Sequence, residues 1–534
     1  MKNLLLLGDE AIAQAALDAG LSGMYAYPGT PSTEIMEYIQ SSKTASDRNV
    51  HREWSANEKT AMEAALGMSY CGKRAMVAMK HVGLNVAADP FINSAMTGVN
   101  GGLIVVSADD PSMHSSQNEQ DSRFYGKFAN VPCFEPSDQQ EAYEMIFDAF
   151  ELSEKYKLPV LFRITTRLAH SRASVTTCEQ LPEKKLSLPS DPVQFVLLPS
   201  IARRKYKSLL ESYEKLKYDI RITRYNIFRD GTKRDMGIIA CGIAYNYLME
   251  NIRDSVKEFP VLKISAYPFP KDLVQDITGR CKSVLVLEEG APMVEESLRG
   301  ILDDGIKIYG RLDGTVPRDG ELNPSLVARS LGMKTSYGRG IPSLVKNRPP
   351  SFCKGCGHSD VFNALIEALK SYSSGSVFSD IGCYTLGALP PYSSINSCVD
   401  MGASVTMAVG AADAGLFPSV CVIGDSTFTH SGMTGLLDAV VKRSSVTIII
   451  SDNSTTGMTG GQDSHATGRL VSICRGLGVD AGHIRELTPL RKNHEENVRI
   501  LKKEFEFRGV SVIIAARECI QTATKRKRTE SSNR

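Results

Sequence analysis

At 534 residues the chain exceeds what a single hydrophobic core organises, and about three or four domains are expected of it. Its 42% hydrophobic and 23% charged residues are those of an ordinary soluble globular protein, and a net charge of +2 gives no field for holding nucleic acid or an anionic membrane. No apolar run is long enough to span a bilayer and the run at 4–7 is too short for an export signal, so a cytoplasmic protein is expected.

From the start to about residue 172, short apolar runs at 23–27, 75–79, 103–107 and 160–164 read as buried strands. Helical spacing at 33–40, 57–70 and 139–155 alternates with them, the signature of a parallel sheet with helices on both faces. The polar, Pro-rich text around 181–200 reads as a linker, and a charged helical stretch follows at 201–219. A second α/β pattern starts near Asp235, with strands at 237–241 and 283–288 and helices at 244–256 and 294–302. After a Gly/Pro/Ser-rich stretch at 312–347, strands are expected at 376–379, 419–423, 446–451 and 510–515. Lys525-Arg526-Lys527-Arg528 reads as a solvated basic tail. The expected fold is three doubly wound α/β domains with mainly parallel sheets. The boundaries are 1–185, a linker and helical segment at 186–234, 235–335, 346–522, and a tail at 523–534.

The strongest chemical signal lies in the last domain. One apolar strand ends in Gly424-Asp425-Ser426 and a later one in Asp452-Asn453-Ser454-Thr455. In a parallel sheet both loops lie at the carboxyl edge, where ligands bind. Asp425, the Asn453 side chain and a backbone carbonyl near Thr455 offer three hard oxygens, which suit magnesium on a diphosphate. Gly424 would let the backbone approach the phosphate, next to a helix N-terminus. The plainer reading makes Asp425 a helix cap and Asn453 a turn residue. The pair resembles the Gly-Asp-Gly…Asn motif of thiamine-diphosphate enzymes, with Ser426 standing where a second glycine is usual.

Such enzymes also need a carboxyl group that exchanges a proton with the aminopyrimidine, and Glu58, at the start of a helix, is the candidate. Its structural alternative is a capping box formed with Ser55. In Tyr27-Pro28-Gly29-Thr30-Pro31-Ser32, Thr30 fits an N-cap and Pro31 the first helical position. Lys80 and His81 end a strand at the same edge, where they would hold a substrate carboxylate or form a rim salt bridge. Of twelve cysteines, most sit in apolar stretches as buried hydrophobes. Cys353 and Cys356 form a Cys-x-x-Cys in a Gly-rich loop, Cys383 follows a strand, and Cys519 follows the final strand. Strand ends on one edge would bring the four together for a cubane iron–sulfur cluster or for zinc, or the first pair alone matters.

Segments 27–34, 53–65, 79–90, 107–123, 348–358, 379–391 and 424–462 resemble the alpha subunits of indolepyruvate ferredoxin oxidoreductases. The text from Lys80 to Pro90 and Gly457-Met458-Thr459-Gly460-Gly461-Gln462 are the most specific parts. The resemblance implies a pyrimidine-binding first domain, a transketolase C-terminal-like middle domain and a diphosphate-binding last domain. Thr30 would then bond the oxoacid, and Glu58 would serve the pyrimidine. Gly382, Tyr384, Gly402, Gly424, Ser426 and Thr427 would line the cofactor, with Mg2+ on Asp425, Asn453 and Thr455. A 4Fe-4S cluster on Cys353, Cys356, Cys383 and Cys519 is implied as well. The implied reaction is oxidative decarboxylation of aryl 2-oxoacids to acyl-coenzyme A. It would run with a smaller beta subunit, in a hetero-oligomer of two copies each, and with ferredoxin as acceptor. Family members usually continue into a ferredoxin-like domain with two cysteine-rich runs, which this sequence does not contain. Another subunit would carry those clusters, or electrons would leave through the single cluster, or the redox step is lost. A non-oxidative thiamine-dependent decarboxylase or carboligase and a non-catalytic scaffold are the alternatives.

Overall fold

The structure, a computed structural model, describes residues 2–191, 193–221, 223–299, 305–335, 340–346, 350–372 and 376–532. The end of the helix expected at 294–302, the start of segment 348–358 and residues 533–534 of the tail lie outside them. The chain forms two compact units, Met1–Arg339 and Gly340–Arg534. No described helix is long and apolar enough to cross a membrane.

The first unit is built on a seven-stranded sheet. Its order is Ala266–Tyr267, Cys133–Phe134, Val160–Thr165, Leu103–Asp109, Ala75–Lys80, Gly23–Ala26, His51–Trp54. All neighbours are parallel except the first pair. Strands covered by helices on both faces are continuous apolar runs rather than alternating ones, which is why the text is legible as strands. Leu103–Asp109 is buried at every position. The leucine run near the start is strand Asn3–Leu7, paired antiparallel with Arg172–Thr176. A second sheet in this unit runs Lys307–Tyr309, Ser283–Leu287, Gly237–Cys241, Val261–Ile264, Ile227–Arg229, with only the last pairing antiparallel. Strand Ala266–Tyr267 leaves this second layer to join the edge of the first. A buried ion network also joins the layers: Arg163 Nε meets Asp109 at 2.6 Å, and Arg123 meets Asp121 at 2.5 Å and Glu288 at 3.1 Å. Two α/β patterns that look separate in the sequence thus share one unit. The charged stretch after the linker is helix Pro199–Arg221, which buries Leu209, Leu216 and Ile220.

The second unit carries six parallel strands in the order Ser397–Cys398, Ser376–Ser379, Ser419–Gly424, Val446–Asp452, Val510–Ala516, Ile484–Leu487. Parallel pairing puts all their carboxyl ends on one edge, so the loops after Ser379, Gly424, Asp452 and Ala516 face the same side. The basic tail is helix Ile520–Ser532, with residues 524–528 exposed.

Candidate active site

In the first unit, Glu58 opens helix Glu58–Tyr70, directly after strand His51–Trp54 and a short turn. The expected capping box between Ser55 and Glu58 does not form. Asn57 is the cap: its Oδ1 accepts from the Thr60 N–H at 2.8 Å, while the Thr60 hydroxyl lies 3.3 Å from the Asn57 N–H. The Asn57 side chain thus satisfies one of the helix's orphan donors, and the cap lies one position before Glu58. That carboxyl is buried against Gly83, where a Cβ would lie 2.6 Å from Oε1. Gly83 sits in helix His81–Val86, which starts as strand Ala75–Lys80 ends.

Lys80 Nζ donates to the Ser115 carbonyl at 3.1 Å. Burial pushes its amine below the ordinary lysine range, against the pull of the Asp110 and Glu58 carboxylates. His81 is buried, with Nε2 3.2 Å from the Asn118 carbonyl. Thr30 is not the N-cap that the sequence pattern indicates, and Pro31 is not the first helical residue; the helix begins at Thr33. The reason is local. The Thr33 hydroxyl accepts from the Gly29 N–H at 3.1 Å and the Ser32 hydroxyl donates to the Gly29 carbonyl at 2.8 Å, closing the loop on itself ahead of the helix. The Thr30 carbonyl instead accepts from the Ser115 hydroxyl at 3.2 Å. Thr30, Lys80 and Ser115 are therefore tied at one strand edge, and Glu58 is close enough to act on the Lys80 charge.

In the second unit, Asp425 is 2% exposed and its Oδ2 has no hydrogen-bond partner among the described residues. Burial pushes this carboxyl up to about 7, while the Ser464 hydroxyl and the Asn453 N–H act the other way. Gly424, not Asp425, occupies the cap position of the short helix that follows. Asn453 does make a turn, its Oδ1 accepting from the Thr455 N–H at 3.1 Å, and its backbone carbonyl accepts from Cys519 N–H at 3.1 Å. A carbonyl oxygen has two lone pairs, so that turn leaves Oδ1 able to serve a cation. A buried carboxylate oxygen with no partner beside an amide oxygen fits a hard divalent cation, which would repay its desolvation. Thr455 is buried, with its hydroxyl donating to the Gln462 carbonyl at 3.0 Å.

Around this edge, the Thr456 hydroxyl donates to Ser426 Oγ at 3.0 Å and Thr427 Oγ1 donates to the Ile381 carbonyl at 3.0 Å. Tyr384 is buried with its hydroxyl on Asp380, and its ring fills the space beside Gly382 and Gly424. Gly402 precedes helix Ala403–Asp413 at φ +92°, a conformation that L side chains rarely adopt, and a Cβ there would lie 2.5 Å from Ser431 Cβ.

The four singled-out cysteines meet. Cys353, Cys356, Cys383 and Cys519 all line one cavity of about 90 Å³, whose wall also includes Asp452 and Asn453. Burial pushes the Cys383 thiol up to about 12, with Cys519, Cys356 and Cys353 adding to the rise. Burial likewise raises Cys356, whose sulfur lies 3.3 Å from His358 Nδ1. Gln521 Nε2 donates to Cys353 Sγ at 3.3 Å.

Two family profiles match the chain: "pyruvate flavodoxin/ferredoxin oxidoreductase, thiamine diP-bdg" over residues 14–196, and "thiamine pyrophosphate enzyme, C-terminal TPP binding domain" over 380–515. The indolepyruvate oxidoreductase subunit IorA of Archaeoglobus fulgidus is 39% identical over 559 residues, covering 99% of this chain and 88% of that protein. The chain belongs to the IorA family. The IorA subunit of Methanothermobacter thermautotrophicus is 37% identical across 97% of this chain and 87% of its own length. A solved 2-oxoglutarate:ferredoxin oxidoreductase from Magnetococcus marinus, with 2-oxoglutarate, coenzyme A and succinyl-CoA bound, shares the fold. It superposes with a TM-score of 0.50 at 17% identity, over 62% of this chain and 65% of that one. Within the IorA frame, sequence reasoning passed over Asp380, which follows a strand as Asp425 does and is pushed up to about 7 by burial, against bonds from Ser404 and Tyr384. That shared position after a strand was the available signal. Asp110, which holds Ser115, directly follows strand Leu103–Asp109 and carried the same signal, whereas Asn118, beside His81, lies on a loop with no spacing to mark it.

Proposed function

We propose that this chain is the thiamine-diphosphate-binding subunit of an oxidoreductase that decarboxylates aryl 2-oxoacids, indolepyruvate among them, to acyl-coenzyme A. Ferredoxin takes the electrons, and a smaller subunit completes a cytoplasmic hetero-oligomer of two copies each. The observation that carries the reading is that four thiols line one cavity, which Asp452 and Asn453 also wall, near the buried Asp425 carboxylate, whose Oδ2 has no hydrogen-bond partner among the described residues. It supports an electron acceptor held next to a diphosphate anchor.

When bound, thiamine diphosphate supplies a carbon nucleophile and an electron sink. Glu58 holds and exchanges the proton at N1′ of its pyrimidine. Asp425, the Asn453 amide and the Thr455 carbonyl would hold Mg2+ for its diphosphate, with Gly382, Tyr384, Gly402, Gly424, Ser426 and Thr427 shaping the loops around it. Thr30 and His81 orient the oxoacid, and Lys80 faces its carboxylate. For the cysteines, 4Fe-4S is favoured over zinc by spacing: no three of these sulfurs lie within 4.8 Å of one another. A tetrahedral ion with bonds of about 2.3 Å would hold them under about 4 Å apart.

The test is anaerobic purification with the smaller subunit, followed by thiamine, iron and sulfide analysis and assay of Glu58→Gln. The wild type should carry about four irons per chain. The substitution should lower turnover by a factor on the order of 10²–10⁴ while thiamine diphosphate stays bound. An iron-free protein that releases aldehyde, or a fully active Glu58→Gln, would end this reading.

A further inference from the structure

The chain carries a net charge of only +2, yet four cations stand in a row at Lys525-Arg526-Lys527-Arg528. They are exposed on helix Ile520–Ser532, which starts one residue after Cys519. The first turn of that helix is wall to the four-cysteine cavity, through Ile520 and Gln521, and Gln521 touches the Cys353 sulfur. Lys525 lies four residues beyond Gln521, so the two share a helix face. A second cavity, of about 390 Å³, is lined by Gly457, Gly461, Cys519, Thr522, Lys525 and Arg528. Cys353 is itself exposed. Arg526 pairs with Glu518 at 2.9 Å, which orients part of this charge.

We infer that this helix is the docking surface for the electron carrier, and that the carrier is a one-electron iron–sulfur protein with an acidic face. The inference rests on the proposed function and deepens it. Gln521 of this helix touches the Cys353 sulfur and Cys519 lines the same cavity as Lys525 and Arg528, so a protein seated there sits beside the donor set. A dense local field draws an acidic partner from a distance and fixes its orientation, and salt screens it over about 8 Å at physiological ionic strength. The balance is complete with this carrier. The bond between C1 and C2 of the oxoacid breaks and a carbon–sulfur bond to coenzyme A forms. Carbon dioxide and one proton leave, and two electrons pass one at a time to two oxidised carriers.

The test uses the holo complex with its smaller subunit, an acidic two-cluster ferredoxin as probe, and methyl viologen as a small cationic acceptor. Lys525→Glu/Arg526→Glu/Lys527→Glu/Arg528→Glu is compared with wild type, and Lys525→Gln/Lys527→Gln serves as a milder pair. At low salt the charge-reversed complex should show a Kd and a KM for ferredoxin raised about tenfold or more, the milder pair a smaller rise, and high salt should erase the difference. Turnover with methyl viologen should not fall. An unchanged ferredoxin Kd would overturn the inference. So would a raised KM for coenzyme A with both acceptors, because the cations would then be binding its phosphates. A wild-type complex that reduces neither acceptor would defeat the proposed function, and the inference with it.

Discussion

A methyl group on Gly83 would stand 2.6 Å from Glu58 Oε1 and 2.7 Å from its Cγ. Real side-chain carbons do not approach so closely, so Gly83→Ala must push the carboxyl aside or shift helix His81–Val86. A displacement of about 1 Å at a reacting group costs roughly a hundredfold in rate, so kcat should fall by about that factor with thiamine diphosphate affinity little changed. Gly67 is the control. It lies in the same helix as Glu58, with nothing within 4 Å of its Cβ position, and Gly67→Ala should leave activity intact. Equal kcat in the two variants would remove Gly83 from the site. At this scale the sequence was uneven. Asp425 and Asn453 stood out because each follows an apolar strand, and strand ends are legible. Glu58 did not stand out by spacing, since Ser55-x-x-Glu58 fits a cap equally well; only the family resemblance pointed to it. Gly83 was quoted within a motif, but its reason lies in a carboxyl 25 residues away, which spacing does not encode.

The cap that replaced the expected one has a measurable role. Asn57 closes a reciprocal pair with Thr60 and sets where helix Glu58–Tyr70 begins, hence where Glu58 points. Asn57→Ala should cost about 1 kcal/mol of unfolding free energy, read by chemical denaturation. Asn57→Asp, which keeps the acceptor, should cost much less; a loss as large as for alanine would mean that the bond matters little. The strands read from the sequence agree with the structure to within a residue or two because both faces of the main sheets are covered, which makes those strands unbroken apolar runs. Other elements escaped, among them helices Gly8–Asp18, Gly357–Leu369 and His494–Phe505 and strand Val261–Ile264. Short edge strands such as Ser397–Cys398 and Ala266–Tyr267 carry too few residues for a pattern. The helical stretch read at 201–219 is helix Pro199–Arg221, and what its charge hid is an apolar stripe of Leu209, Tyr213, Leu216 and Ile220 at helical spacing that packs inward.

At the scale of the whole molecule, the sequence shows two α/β patterns separated by a linker where the structure has one unit, joined by a shared strand, by hydrophobic clusters drawn from both patterns and by charge pairing across that distance. Arg123 and Arg163 reach acids more than 100 residues downstream or on other strands, among them Glu288, and no local pattern announces a buried arginine's partner. The same network leaves acids poorly matched. Glu289 is buried, its Oε1 accepts from the Leu322 N–H at 3.0 Å, and its Oε2 has no hydrogen-bond partner among the described residues. Burial pushes this carboxyl up from the usual 4.5 to about 7, with the Leu322 N–H, Arg311 and Arg163 opposing the rise. The fold therefore binds a proton that the unfolded chain has already released. Stability falls as pH rises from about 4.5 through about 7 and then levels, because above that range the fold must bury the charge. Glu289→Gln keeps the acceptor for Leu322 and removes the charge. Its Tm should exceed that of wild type clearly near pH 8 and by much less near about pH 5, a difference set by the lost linkage. Scans of both proteins at the two pH values decide the matter: a shift of the same size at each would mean that packing, not buried charge, governs this junction.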